Sequence, residues 1–266
     1  MRWLLRLGWL RTVVELKQLV RHREMAFWTL MFPVVLMVIF GSVFGQQKLG
    51  PTGVTFAQYF TAGMIASGVL YTSFQNLAIG MPQEREEGTL KRLQGAPMPK
   101  AAYFLGKIGL VFVTYVGQTA VLIAVGVAFY GINIPTGFDT WWRFTWISVL
   151  GLVSCTLLGI AFSTVPSSGR TASTVVSPIV LVLQFTSGVY FMFRDLPHWM
   201  QQFAALFPLK WLTQGMRSVF MPSQAASLET TGSFEVGRTA AVLLLWLVIS
   251  MVMASTLFRW QRRSER

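Results

Sequence analysis

The 266-residue chain is 53% hydrophobic and only 12% charged, whereas soluble domains average about 25% charged residues, so the composition excludes an ordinary soluble protein. The net charge of +12 does not indicate a nucleic-acid partner, because the basic residues lie mostly at the ends of apolar stretches, where they set membrane orientation. The single cysteine, Cys155, excludes an internal disulfide bond. We therefore expect one integral membrane domain over residues 1–266.

The first 26 residues carry apolar and basic side chains with the period of a helix. The apolar positions include Trp3, Leu7, Leu10, Val14, Leu16 and Val20, and the basic positions between them are Arg6, Arg11, Lys17 and Arg21. This pattern predicts an amphipathic helix lying on the cytoplasmic leaflet, with arginine heads toward lipid phosphates. The alternative is a basic tail that only sets the topology.

Six apolar stretches are long enough to cross a bilayer, which takes about 20 residues. They are residues 27–45, 57–79, 108–130, 144–165, 174–193 and 239–258, and none of them contains Asp, Glu, Lys, Arg or His. The sequence thus predicts an all-α fold with six transmembrane helices. Of the basic residues, 16 fall on one side of these spans and 6 on the other. This excess predicts that both termini, including the tail 259–266, are cytoplasmic.

The segment 82–100, between the second and third spans, holds a dense run of charges. Pro82 is expected to end the second span, because proline cannot continue the helical hydrogen bonding. Acidic residues then come first and basic residues last, which suits a short helix over 84–92 in which Glu87 and Lys91 can pair. Two interpretations stay open: a solvated helix between spans, or a docking helix for a cytoplasmic partner.

The outer segment 194–237, before the last span at 238–258, has two short semi-apolar runs, 196–207 and 209–220, on either side of Pro208. Each run is too short to cross the membrane, so we expect two half-helices at the outer interface. A plain surface loop is the alternative. The aromatic residues of this segment favour the half-helices: Trp199, Phe203, Phe207, Trp211 and Phe220.

Residues for catalysis or ion coupling are lacking in the sequence pattern. His22 and His198 are predicted on opposite sides of the membrane, without a metal or nucleophile companion. No G-x-x-x-x-G-K-[ST] loop is present, so no ATP site is expected on this chain. Every Asp and Glu lies outside the spans, which argues against a proton- or sodium-coupled carrier. We predict no catalytic, cofactor or metal residue, and the residues that bind substrate stay unassigned.

Two motifs, together with the amphipathic helix, resemble the type 2 permease family of ATP-binding cassette (ABC) transporters, which includes drug-resistance exporters. The first motif is similar to the family's E-x-G-T-L stretch and the G-K that follows it: Glu84-Arg85-Glu86-Glu87-Gly88-Thr89-Leu90-Lys91-Arg92, then Gly106-Lys107. The second is similar to its G, l-P, n-P-l and R pattern: Gly188, Pro197, Pro208 and Arg217. The chain has Phe207 where the family often has Asn.

The resemblance implies a bacterial inner-membrane exporter that works as a dimer of permeases, either a homodimer or a pair of paralogues. Two separate cytoplasmic ATPase subunits would bind ATP and Mg²⁺. Residues 84–92 would form the coupling helix that seats in the ATPase. Gly188, Pro197, Pro208 and Arg217 would help close the external end of the path.

We therefore hypothesise that the protein is an ABC exporter permease for a hydrophobic or lipid-like substrate, as in multidrug efflux. A membrane scaffold without transport activity is the alternative from another class. An intramembrane enzyme of lipid metabolism is a third, which the lack of spaced aspartate pairs argues against. The sequence does not identify the substrate.

Overall fold

The computed structural model describes residues 2–95 and 99–257. The predicted tail 259–266, residue 258 and residues 96–98 of the predicted cytoplasmic segment lie outside the described residues. Regular structure in the described part is helical, apart from one isolated bridge between Lys48 and Thr55. The helices are α1 (Arg2–Arg21), α2 (Arg23–Phe44), α3 (Phe56–Leu70), α4 (Asn76–Glu86), α5 (Thr89–Gly95), α6 (Lys100–Tyr130), α7 (Phe138–Phe162), α8 (Gly169–Thr186), α9 (His198–Ala205), α10 (Pro208–Phe220) and α11 (Val236–Leu257).

Within residues 2–95 and 99–257, four helices are long and apolar enough to cross a membrane, which makes the chain a multi-pass membrane protein. They cover Ala26–Phe44, Ala101–Tyr130, Phe138–Phe162 and Val236–Leu257, and correspond to the first, third, fourth and sixth predicted spans. The second predicted span is divided among α3, a π-helical turn and α4. The fifth corresponds to α8, which has 18 residues and begins with several hydroxyl side chains.

A continuous helical path, formed by α3, the π-helical turn Tyr71–Gln75 and α4, lies in the middle of the bundle. Nearly all of α3 is buried. The prediction that Pro82 ends this segment is wrong, since α4 continues through Pro82 to Glu86. A proline removes only one backbone hydrogen bond of its helix. Pro82 is itself buried, as are the neighbouring Met81 and Ala78.

Small residues on α7 allow this helix to pack closely against α10 and against the π-helical turn Tyr71–Gln75. A Cβ atom added at Gly151 would lie 2.5 Å from Leu212 of α10, and one at Gly159 would lie 2.8 Å from the carbonyl oxygen of Phe74. Cys155, between them on the same face, is fully buried. These small residues therefore serve contacts within one chain.

The fifth predicted span ends earlier than the sequence pattern indicates. We predicted a span over 174–193, but α8 ends at Thr186. Gly188 has a φ of 73°, a left-handed conformation that glycine adopts readily and that stops a helix. The following residues return toward the bundle, and Val189 donates its N–H to the carbonyl of Gln184 at 3.4 Å.

The two predicted half-helices exist as α9 and α10, but they differ in environment. Trp199 of α9 is 66% exposed, as expected for an interfacial helix. All 13 residues of α10 are buried, and the helix packs against α3, α7 and α11. The prediction allowed half-helices that dip into the outer interface or lie on it, and α10 packs into the core through its aromatic and aliphatic residues.

Candidate functional site: polar networks at opposite ends of the bundle

The amphipathic helix α1 packs along the first half of α6. Its contact stripe is Gly8, Thr12 and Glu15, three residues that are buried. The helices approach so closely that a Cβ at Gly109 of α6 would meet the Thr12 hydroxyl at 2.2 Å. The opposite apolar face, with Trp3 and Trp9, is more than half exposed. The predicted amphipathic helix is present, and its polar stripe holds it to the bundle.

A buried charge network joins α1, α4 and α6 through Lys107. The Lys107 ammonium donates to Glu15 of α1 at 2.8 Å and also binds Glu84 of α4. Arg11 donates to the other oxygen of Glu15 at 2.5 Å, and the Tyr103 hydroxyl donates to Glu84 at 2.8 Å. The side chains of Lys107 and Glu15 are only 5% and 4% exposed. We call this group the Lys107 network.

The environment of Arg11 therefore differs from the one that the sequence pattern predicted. We expected its guanidinium to face lipid phosphates, but Arg11 is mostly buried and paired with Glu15. A buried carboxylate is costly unless it is paired. Glu15 has two cationic partners, Arg11 in α1 and Lys107 in α6, so its charge helps to bind α1 to α6.

Three consecutive residues at the end of α4 contact three different parts of the bundle. Glu84 binds α6 through Lys107. Arg85 donates to the carbonyl of Ser163, just after α7, at 3.1 Å. Glu86 accepts the backbone N–H of Gly169, the first residue of α8, at 2.7 Å. A displacement of this end of α4 would therefore pull on α6, on the end of α7 and on the start of α8 at the same time.

The predicted single helix over 84–92 is wrong, because the chain breaks between α4 and α5. Gly88 has a φ of 74°, which glycine tolerates better than residues with a side chain. α5 then starts at Thr89, and Leu90 is fully buried in the core. Among the described ion pairs there is none between Glu87 and Lys91, although the sequence spacing allowed one.

The charges of 84–92 divide into an inner and an outer set. Glu84 and Arg85 are partly buried and bonded within the chain, and Glu86 is exposed but bonded to α8. Glu87, Lys91 and Arg92 are exposed. We call these last three residues the outer charge set, since their charges are available to a partner.

The other end of the bundle contains a second buried network, centred on Arg217 of α10. The Arg217 guanidinium donates to Glu229 at 2.7 Å and to the carbonyl of Gly188 at 2.8 Å. It also lies 4.3 Å from the centroid of the Tyr59 ring of α3. The side chains of Arg217 and Glu229 are 1% and 2% exposed. The Glu229 carboxylate raises the pKa of Arg217 above its ordinary value, although burial by itself lowers it.

The structure brings together two of the four predicted gate residues. Gly188 and Arg217 are in direct contact, whereas Pro197 precedes α9 and Pro208 is the first residue of α10. Proline suits a helix start because its φ is already close to helical and its missing N–H has no partner there. Phe207, at the N-cap of α10, makes no side-chain capping bond.

Gly188→Ala is expected to lower the free energy of unfolding by about 2–4 kcal/mol. The alanine would hold a strained positive φ, and its Cβ would lie 2.8 Å from that of Phe193 and 3.0 Å from Arg217. Gly232→Ala is the matched control: its φ is also positive, but no atom lies within 4 Å of the added Cβ, so a loss of about 1 kcal/mol is expected. The measurement is thermal unfolding of the two purified variants. Equal losses of stability would contradict the close contact of residue 188 with Phe193 and Arg217.

Sequence reasoning missed several residues that complete the networks. Glu15, Tyr59 and Glu229 were not selected, and Lys107 was assigned only to the G-K motif. One signal was available for Glu15, because it is the sole acidic residue in the otherwise basic α1. No comparable local signal marks Tyr59 or Glu229, which meet Arg217 only in the folded chain.

Comparison with known proteins gives matches over most of the chain. The sequence model of the family described as ABC-2 type transporter matches residues 9–221. Inner membrane transport permease YadH of Escherichia coli K12 is 25% identical over 238 residues, covering 86% of this chain and 90% of that protein. Putative transport permease ycf38 of Porphyra purpurea is 24% identical, covering 93% and 89%. Putative transport permease YvfS of Bacillus subtilis is 21% identical, covering 94% and 96%.

Proposed function

Because the chain belongs to the ABC-2 type transporter family, we propose that it is the permease subunit of an ABC exporter in a bacterial plasma membrane. Hydrolysis of ATP, with its Mg²⁺, takes place on separate ATPase subunits, two of which serve a dimer of permeases. The substrate is hydrophobic or lipid-like. The six spans are α2, the α3–α4 path, α6, α7, α8 and α11, with both termini in the cytoplasm.

The observation that carries this proposal is the connection of the 84–92 segment to the bundle. The outer charge set is exposed, and the adjacent Glu84, Arg85 and Glu86 bind α6, the end of α7 and the start of α8. An ATPase that holds the outer charges thus has a direct mechanical path to three spans. A solvated inter-span segment would not need these bonds.

Helix α1 is a second element that moves with α4 in this mechanism. It is bound to α6 along its polar stripe and to α4 through Lys107. Motion of α4 driven by the ATPase then shifts α1 and α6 with it, because the buried charges cannot separate without leaving one unpaired. At the other end, the Arg217 network holds α10 against α3 and the turn after α8, and so closes the external end of the path.

The test is copurification of the ABC ATPase with the permease from native membranes in a mild detergent. Glu87→Lys and Lys91→Glu are each expected to lower the recovered ATPase about tenfold, since a reversed charge repels the group that it formerly attracted. Lys48→Glu, an exposed charge at the opposite end of the bundle, is the matched control and should leave recovery unchanged. Absence of any ATPase with the wild-type protein would favour the scaffold alternative.

A further inference from the structure

A cavity of about 430 Å³ lies between α1 and α4, next to the Lys107 network. Thr29 of α2 and Leu110 of α6 line it on the side of the spans, and Glu87 and Thr89 line it at the turn into α5. Since α1 exposes its apolar face and carries arginines, it sits at the level of lipid headgroups. The cavity therefore begins at the headgroup level and reaches into the ends of the spans.

The wall formed by α4 and the end of the π-helical turn consists mainly of one helix face, and Leu77 and Met81 line the cavity beside it. The residues of the face itself are Gln75, Asn76, Ile79, Gly80, Gln83, Glu84 and Glu87. Positions three and four apart share a helix face, so these residues form a stripe about 18 Å long. The facing stripe of α1 consists of Arg11, Glu15, Gln18, Leu19 and His22. Two mainly polar stripes thus face each other across the cavity.

Many polar groups in these stripes have unused hydrogen-bonding capacity. Within the part of the chain that the structure describes, no hydrogen bond is formed by the side chains of Gln18, His22, Gln75, Asn76 and Gln83. Gln75 and Asn76 are partly buried at the deep end. Their amide groups are accessible from the cavity, so they can form hydrogen bonds with a polar ligand group, which an alkyl chain alone cannot form.

The charges lining the cavity favour a cation. Glu15, Glu84 and Glu87 face two basic residues, Arg11 and Lys107, so these five side chains carry one net negative charge. Both basic residues are already bound to carboxylates of the Lys107 network. The carboxylate of Glu87 has no ion-pair partner among the described residues. An anionic group such as a phosphate would find no free cation here, whereas an ammonium would find Glu87.

An aromatic and aliphatic zone lies at the deep end of the same cavity. Tyr71 lines it and stacks on Phe32 of α2, with ring centroids 6.0 Å apart. Leu19, Ile79 and Leu110 add apolar surface. A ligand with an ammonium group and an apolar body could place its body here while its ammonium lies toward Glu87.

We propose that this cavity binds an organic ammonium cation that carries an apolar body. The ammonium lies by Glu87 and the amides of the α4 stripe, and the apolar body lies against Tyr71 and the neighbouring aliphatic residues. The cation comes either from an aminolipid headgroup of the adjacent leaflet or from a dissolved amphiphile. Its role as cargo rests on the proposed transport function, but its binding does not require an ATPase.

The test is protection of an engineered thiol in the purified permease without any ATPase. Cys155→Ala removes the one native thiol, which is buried, and Asn76→Cys places a new one in the cavity wall. Dodecyltrimethylammonium is expected to slow maleimide labelling of position 76 at least fivefold. Dodecanol, with the same chain and no charge, should slow it less than twofold. Gln47→Cys, exposed at the opposite end of the bundle, is the matched control thiol and should be unaffected.

Glu87→Gln in the same background should raise the concentration of dodecyltrimethylammonium that gives half protection by about five- to tenfold, as expected for loss of one partly exposed charge. Equal protection by dodecanol, or no change in the Glu87 variant, would overturn the cation assignment. No protection by either compound would show a cavity that holds only water. Since no ATPase is present, these failures are separate from failure of the copurification test.

A second arm of the experiment distinguishes the two sources of the cation. The Asn76→Cys variant, not yet labelled, is placed in nanodiscs of a neutral glycolipid, with or without added phosphatidylethanolamine, and its rate of maleimide labelling is measured. Protection by phosphatidylethanolamine alone identifies a lipid headgroup as the ligand. Protection only when dodecyltrimethylammonium is added identifies a dissolved amphiphile. Either result supports an ammonium site, and the absence of both overturns it.

Discussion

Lys107→Ala is expected to destabilise the protein by about 3–5 kcal/mol, the usual result of removing one partner from a buried ion pair. The change leaves Glu15 and Glu84, both bonded to the Lys107 ammonium, without their shared cation. Glu15 keeps Arg11, whereas the partner that Glu84 keeps among the described residues is the Tyr103 hydroxyl. The measurement is thermal or denaturant unfolding of the purified permease in one defined detergent, followed by the loss of helical signal.

Lys91→Ala is the matched control for this experiment, because Lys91 is exposed on the nearby α5. It should change stability by less than about 0.5 kcal/mol. A double variant, Glu84→Gln and Lys107→Met, removes one charge of each sign and should recover much of the loss, since Glu15 keeps its pair with Arg11. A single Lys107→Ala variant as stable as the control would contradict the burial of the network.

Arg217→Ala is expected to have an effect of similar size at the other end of the bundle, also about 3–5 kcal/mol. The change leaves the Glu229 carboxylate, which is 2% exposed, without its partner and removes the donor to the Gly188 carbonyl. It also removes the cation that lies over the Tyr59 ring. Unfolding is measured under the same conditions as for the Lys107 variants.

Arg194→Ala is the matched control for Arg217, because its ion pair with Asp195 is about half exposed. Pairs of this kind contribute little, so a change below about 1 kcal/mol is expected. A double-mutant cycle with Glu229→Gln then isolates the coupling between the two buried groups. Additive losses in this cycle would show that Arg217 and Glu229 do not stabilise each other.

Local sequence patterns predicted some elements well for physical reasons. Apolar residues in α2, α6, α7 and α11 exceed what any soluble helix carries, so these helices were recognisable without tertiary information. The period of three and four in α1 predicted its amphipathic character. The short apolar runs around Pro208 predicted two helices, because a proline begins a helix more readily than it continues one.

Other predictions failed where packing, not local pattern, determines the outcome. Pro82 did not end its helix, because its buried ring is packed within the bundle. α8 ended early because the left-handed backbone at Gly188 lets its carbonyl accept from Arg217. The charged run 84–92 was predicted as one exposed helix, yet its first residues bind the inside of the bundle.

The sequence by itself determined that this protein is helical, lies in a membrane and carries an amphipathic first helix, since hydrophobicity and periodicity are local properties. Only the tertiary structure decided which charges are paired. Glu15 and Lys107 are 92 residues apart in the chain, and Arg217 reaches back to Gly188 across 29 residues. Burial makes such distant pairs necessary, because a charge removed from water must meet its counterpart wherever the fold places it.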